Sequence, residues 1–194
     1  MIRPITLNRN PEVQRGYRLP FVNKEVQISQ GNNGPWSHFA FEVFRDPEGE
    51  MPSVNWDLSF SVDFAVPLGT RVLAARDCVI KASMNRSKQC YEGTDLERGL
   101  RTLVNWIFVD HEDGTSGCYS HLASDSIWMK NGTRIKQGQP IARTGRSGWI
   151  GPTPHLHFCV IDDTVRDVGL ATLPVVFEDY QKTLEHSEIF GTFE

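Results

Sequence analysis

Short β-type runs, each closed by turn residues, constrain the fold of this chain more than any other feature. The runs are rich in Val, Ile, Phe and Thr, and Gly, Pro, Asn and Asp lie between them. Such a pattern is typical of antiparallel sandwiches and barrels. The sequence predicts strands at 25–29, 61–66, 71–75, 79–82, 102–110, 117–121, 134–135, 140–143 and 155–161. We therefore expect an all-β fold of mainly antiparallel sheets, with long loops and few short helices.

Helical periodicity is scarce, and the sequence predicts only two short helical turns, at 95–100 and 124–129. A length of 194 residues suits one domain with extensions. The expected organisation is an N-terminal arm at 1–18, a single domain at 19–180 with insertions at about 39–58 and 83–101, and a C-terminal tail at 181–194.

Charge and hydropathy exclude some classes of function. The net charge is −4 and no long Lys/Arg run occurs, so we expect no nucleic-acid partner. No stretch approaches the roughly 20 apolar residues of a membrane-spanning helix. The opening residues MIRPITLNRNPEV contain no apolar core of a signal peptide. The sequence gives no indication of an oligomeric state.

Four cysteines occur without a CxxC pair, which argues against a thiolate zinc knuckle. We expect buried thiols, with a Cys78–Cys90 disulfide possible if the protein is exported. Cys159 lies two residues after His157 and shares its strand face, so it is a reserve candidate for a soft metal ligand. Cys118 lies within three residues of His121 and is a further candidate of this kind.

The segment His155-Leu156-His157 carries the clearest chemical signal. Alternate residues of a strand share one face, so both imidazoles project side by side while Leu156 points to the opposite layer. This arrangement suits a metal ligand beside an acid/base group, although two surface histidines would give the same short pattern. His121 ends another predicted strand. Asp63 lies in an apolar strand, where an unpaired carboxylate would be costly to bury.

Four blocks occur in order over roughly residues 60 to 161: VDFAVPLGTRVLAA, YSHL, IKQGQPIARTGRSG and PHLHF. In this order and spacing they resemble the lysostaphin-type, or LytM-type, zinc peptidoglycan endopeptidases. The resemblance implies a β-rich fold with a duplicated barrel/sandwich hybrid motif and an open groove. It also implies a zinc ion held by a His, an Asp and the second His of HxH. The matching positions are Asp63 and His157 for the metal, with His121 and His155 as catalytic histidines.

The chain departs from this family pattern at one ligand. The usual first ligand is a His four residues before the Asp, and Ser59 occupies that position. A serine hydroxyl is a poor zinc ligand beside imidazole or carboxylate. We expect His38 to replace it, with Asp57 and Asn55 as lesser candidates.

The expected function is that of a zinc metalloendopeptidase, which uses a metal-activated water to hydrolyse peptide bonds in peptidoglycan cross-links or bridges. Its partners would be peptidoglycan stem or bridge peptides. We expect it in the cell envelope or outside the cell, and the periplasm is the favoured compartment. One alternative is a degenerate relative that binds cell wall or regulates a partner amidase, as the loss at position 59 would allow. Another is a phosphocarrier of the sugar phosphotransferase type, which also uses two close histidines.

Overall fold

The computed structural model describes residues 2–7, 9–22, 27–31, 38–43, 54–151, 153–165 and 169–179. Over these residues the chain is nearly all strand with one short helix, which confirms the expected all-β class. The expected tail at 181–194 and the middle of the first insertion, 44–53, lie outside the described residues.

The strands are short, as the spacing of turn residues predicts. In chain order they are β1 Ile2–Pro4, β2 Gln14–Tyr17, β3 Gln27–Gln30, β4 Ala40–Val43, β5 Val54–Asp57, β6 Val62–Ala65, β7 Arg71–Leu73, β8 Cys78–Met84, β9 Cys90–Tyr91, β10 Trp106–Asp110, β11 Thr115–Ser120, β12 Arg134–Ile135, β13 Pro140–Arg143, β14 Gly148–Trp149, β15 His155–Asp162, β16 Leu170–Leu173 and β17 Val175–Phe177.

The largest sheet has the order β1-β4-β5-β16-β15-β11-β10-β8-β12, and its neighbours are antiparallel except for β16 and β5. β15 is its centre. One edge of β15 pairs with β11 over six residues, and the other is shared between β6 near its beginning and β16 near its end. β6 in turn pairs with β3. Three further pairs, β13 with β7, β14 with β9 and β17 with β2, complete the sheets of the described residues.

Alternation along the central strands separates two faces. The inner face carries the main core, to which β15 contributes Leu156, Phe158 and Val160. The opposite face carries His155, His157 and a small cluster of Cys118, Cys159 and Ile161, against which Phe108 and Leu170 pack. The strand period therefore places the histidines of β15 on the face away from the main core.

The helix α1, Leu96–Arg101, forms in the second insertion. Asp95 caps it by accepting a hydrogen bond from the backbone N–H of Arg98, the preferred use of Asp at this position. The helical turn expected at 124–129 is wrong, because residues 124–125 form a turn and the rest is irregular. The Asn85 side chain bonds both backbone groups of Ile127, which satisfies them outside a helix.

The first 18 residues are not an irregular arm, since they contain β1 and β2. Tyr17 at the end of β2 is completely buried in the main core. Arg9 contacts the buried carboxylate of Asp57 at 2.5 Å and the carbonyl of Thr172 at 3.3 Å. A buried carboxylate requires such a partner, so this segment is part of the packed structure.

No described helix has both the length and the apolar character that crossing a membrane would require. All four cysteines are free thiols, so the structure contains no Cys78–Cys90 disulfide. Cys78 is buried on β8, whereas Cys90 is exposed on β9, which pairs with β14 instead. The expectation of buried thiols holds for Cys78, Cys118 and Cys159.

His111 is a buried structural histidine, as its hairpin position suggests. Its Nδ1 lies 3.1 Å from the Tyr17 hydroxyl and 3.0 Å from Thr115 Oγ1. Burial, reinforced by the charge of Arg76, lowers the pKa of His111 to about 4. Protonation therefore favours the unfolded chain, in which the pKa of histidine is about 6.5.

We predict that this histidine makes the fold sensitive to acid. Its contribution to stability is complete above about pH 6.5 and declines as the pH falls towards 4, by about 3 kcal/mol at most. Urea unfolding of the metal-free protein across this range, for the native chain and for His111→Asn, measures the effect. The variant should lose less stability on acidification, and equal losses in the two proteins would contradict the prediction.

Candidate metal centre

Asp63 is the centre of the candidate site. Its neighbours Val62 and Phe64 point into the main core, so alternation turns the carboxylate to the opposite face. There it is 3% exposed, which is low enough that its charge needs partners. β6 and β15 pair with Asp63 directly opposite His157, and the Asp63 Oδ1 to His157 Nδ1 distance is 2.9 Å.

His38 reaches the same carboxylate oxygen from a distant part of the sequence. It precedes β4, and its Nε2 lies 3.4 Å from Asp63 Oδ1. Its ring meets the His157 ring edge to face, with centroids 4.7 Å apart. One nitrogen of His38, Oδ1 of Asp63 and one nitrogen of His157 therefore converge, with all three donor atoms within 4.8 Å of one another.

The remaining two histidines stand beside this group with one ring nitrogen each held by a backbone carbonyl. His155 Nδ1 lies 2.9 Å from the Thr153 carbonyl, and its Nε2 lies 3.4 Å from Asp63 Oδ2. His121 Nδ1 lies 2.8 Å from the Ser147 carbonyl. A carbonyl only accepts, so both Nδ1 atoms donate and each neutral ring keeps an unprotonated Nε2. The ring centroids of His121 and His155 are 4.6 Å apart.

Burial and mutual proximity set the protonation states. Burial lowers the pKa of His38 to about 4 and that of His121 to about 3, and neighbouring imidazoles add to both shifts. Burial opposes ionisation of Asp63, but the imidazoles of His155, His38 and His157 outweigh it and hold its pKa below the usual range. Burial likewise opposes a charge on His157, yet its hydrogen bond to Asp63 raises its pKa.

The lesser ligand candidates face elsewhere. Asp57 binds Arg9 through Oδ2 and accepts from the backbone N–H of Ser59 through Oδ1, so both oxygens are occupied. Asn55 lies within β5, two strands away from β15, opposite Glu42 of β4. Ser59 lies in the turn before β6, and its backbone N–H donates to Asp57 Oδ1. Among the described residues, Cys159, the reserve candidate, is outside the group of converging donors and faces Cys118.

Two contacts that orient the histidines could not be predicted from the sequence, because their acceptors are backbone carbonyls. The Ser147 carbonyl holds His121, and the Thr153 carbonyl holds His155. The glycine-containing TGRSG turn is a partial sequence signal for the contact between Ser147 and His121. A Cβ atom at Gly145 would lie 2.5 Å from the backbone of Ala123, so glycine there lets the loop approach the strand end that carries His121.

Residues 58–167, more than half of the chain, match the sequence model of Peptidase family M23. The chain belongs to peptidase family M23. This confirms the expected lysostaphin-type peptidase at the level of the family. The matched region contains Asp63, His121, His155 and His157 and begins after His38.

The peptidoglycan DD-endopeptidase ShyB of Vibrio cholerae is 33% identical over 114 residues, which is 58% of this chain and 23% of ShyB. The chain spans less than a quarter of the length of the curated relatives it matches. Among solved structures, it is similar to a zinc-containing peptidase from Vibrio cholerae, with a TM-score of 0.48 and 25% identity over 78% of this chain and 40% of that one. The solution structure of lysostaphin gives a TM-score of 0.48 and 22% identity over 80% and 51% of the two chains.

The backbone conformation of His121 leads to a prediction about the free energy of unfolding. His121 has φ = 62°, a left-handed conformation in which a Cβ atom is unfavourable. His121→Gly should therefore be more stable than His121→Ala by about 1 kcal/mol, since the two variants differ only in the Cβ atom. Urea unfolding measures the difference.

The neighbouring strand residue supplies the control. At Ser120, which lies in β11, alanine should be more stable than glycine because an extended strand gives glycine no advantage. If glycine and alanine had the same order of stability at both positions, backbone strain at His121 would be disproved.

Proposed function

We propose that this chain is a zinc metalloendopeptidase that hydrolyses peptide bonds in peptidoglycan cross-links or bridges. The observation that carries the proposal is the convergence of His38 Nε2, Asp63 Oδ1 and His157 Nδ1 beside two further histidines. A metal ligand at His38 would replace the histidine that the family has at position 59, where this chain has serine. It also speaks against a degenerate relative, because the donor set remains complete.

His38, Asp63 and His157 would hold the zinc ion. Donors 2.0–2.2 Å from a tetrahedral metal lie about 3.3 Å apart, and the observed distances from Asp63 Oδ1 are 2.9 and 3.4 Å. Two imidazoles and one carboxylate are a typical donor set of catalytic zinc sites, which keep one position open. When bound there, zinc would supply an acidified water and polarise the carbonyl of the scissile bond.

His121 and His155 would move the protons. The lowered pKa of His121 keeps it neutral at neutral pH, and its Nδ1–H bond to Ser147 leaves Nε2 to accept a proton from the attacking water. His155 presents Nε2 beside the Asp63 carboxylate and is held by Thr153. One histidine would accept the proton and the other would stabilise negative charge or protonate the leaving amine.

The proposed substrates are peptidoglycan stem or bridge peptides, in the cell envelope or outside the cell. Support comes from the relatives named peptidoglycan DD-endopeptidases. An open cleft of about 480 Å³ borders the loop that holds His121, and none of the converging residues lines it. It is lined by Lys88, Cys90, Tyr91, Glu92 and Arg146.

Zinc binding tests the ligand that departs from the family pattern. His38→Ala should lose more than about 100-fold in zinc affinity, because even residues behind a ligand contribute 10- to 100-fold. Ser59→Ala is the matched control, and it should keep one zinc per chain and its activity. Competition with a chromogenic chelator measures affinity, and release of soluble fragments from purified sacculi measures hydrolysis.

Native zinc affinity in His38→Ala would exclude this histidine as a ligand. A native chain that binds no zinc, or binds zinc and releases no peptide fragments from sacculi or isolated cross-linked peptides, would overturn the proposed function.

Separate variants distinguish proton transfer from metal binding. His121→Ala and His155→Ala should retain zinc, since neither belongs to the converging donors. Each should lose about 100- to 10,000-fold in kcat, the range expected for loss of a general acid or base. Metal analysis of the same samples is the essential companion measurement, and zinc loss in either variant would show that the roles are assigned wrongly.

A further inference from the structure

Two thiols face each other next to the candidate metal centre. β11 and β15 pair with Cys118 directly opposite Cys159, and the next pair on the same face towards the site is Ser120 with His157. Both thiols are buried, with 6% and 2% exposure, and share a small cluster with Ile161. The proposed mechanism gives neither thiol a role.

The geometry of this pair suits a covalent bond. Directly opposed residues of antiparallel strands have Cα atoms about 4.5–5.5 Å apart, within the 4.4–6.8 Å span of disulfides. Both side chains point to the same face, where Cys118 Sγ lies 3.4 Å from Ser120 Oγ. No movement of a strand is needed to bring the sulfur atoms together.

We propose that Cys118 and Cys159 are the site of a cross-strand disulfide, of which the structure shows the reduced form. The oxidant would be a small-molecule disulfide or the disulfide of a thiol–disulfide exchange protein. A Cys thiolate attacks the oxidant disulfide to form a mixed disulfide and releases one thiol. The second Cys thiolate then displaces the other. The balance is two protein thiols and one oxidant disulfide giving one protein disulfide and two oxidant thiols.

The bond would connect the two strands that position most of the site. β11 ends at Ser120, immediately before His121, and β15 carries His155 and His157. A covalent link two residue pairs from His157 would fix the spacing of these strands beside the site. The inference concerns thiol chemistry and does not rest on the proposed function.

The other two thiols have no comparable neighbour. Cys78 on β8 lies opposite Ile135, and Cys90 on β9 lies opposite Gly148. Because Cys118 and Cys159 are buried, their oxidation belongs to folding, when the chain is open to the oxidant. Cys90, which is exposed, is the thiol that a small oxidant would reach on the folded protein.

The test is oxidative refolding of the full chain. The reduced, urea-unfolded protein is diluted into a mixture of reduced and oxidised glutathione, once with zinc and once with a chelator. Exposed mixed disulfides are then removed by brief mild reduction. We expect the number of free thiols to fall from four to two, and peptide mapping to place the bond between Cys118 and Cys159. The closed loop should raise the urea midpoint by about 1–2 M over the reduced form.

Variants identify the thiols. The double variant Cys78→Ser/Cys90→Ser is the matched control and should lose two thiols like the native chain, whereas Cys118→Ala should form no internal disulfide. If Cys118→Ala fails to fold, the peptide map of the native chain decides. Four free thiols after refolding, a bond between any other pair, or an unchanged urea midpoint would overturn the proposal.

Discussion

The pairing of β6 with β15 is the interaction on which the site depends. It places Asp63 opposite His157 and sends the flanking residues of both strands into the main core. A slip of one residue would turn Asp63 into that core and Leu156 out of it. The free energy of burying Val62, Phe64, Leu156 and Phe158 therefore fixes the register, and the register places the charged cluster. Packing on one face of the sheet determines the chemistry on the other.

Asp63 explains why the four surrounding imidazoles are close together. A carboxylate with 3% exposure requires a partner, and His157 supplies a hydrogen bond from Nδ1 at 2.9 Å, while His38 and His155 each lie 3.4 Å from one of its oxygens. The same burial lowers the pKa of His38 and His121, which keeps those rings uncharged. A divalent cation at the converging donors would neutralise the carboxylate more effectively than neutral rings, because its charge is larger and closer. The cluster of Asp63 and its neighbouring histidines is therefore electrostatically suited to bind a metal ion, and it needs no further charged residue to do so.

The sequence predicted the features that depend on local strand alternation. It did not predict the features that depend on contacts between distant segments of the chain. Strand alternation was enough to place His155 and His157 on one face, and the cost of burying a carboxylate indicated that Asp63 needs a partner. The sequence named His38 as the expected replacement ligand, but it did not predict how several strands of the large sheet bring this distant segment to Asp63. β1 and β2 escaped prediction because Arg9 and Tyr17 are stabilised by partners far along the chain. The carbonyls that hold His121 and His155 have no side-chain signature at all.

The buried contact of Arg9 with Asp57 has a consequence for where this domain begins. The region common to the family starts at residue 58, yet β5 just before it pairs with β16, and β2 pairs with β17 at the other end of the chain. The family region also ends at residue 167, so a fragment cut at both family boundaries would lack β16 and β17 as well as β2 and β5. A fragment that began at residue 58 but kept the C-terminal strands would expose the edges of β16 and β17 and remove Tyr17 from the core that contains Phe177. For anyone transplanting this domain into a chimeric protein, the folded unit is thus larger than the region matched by the family.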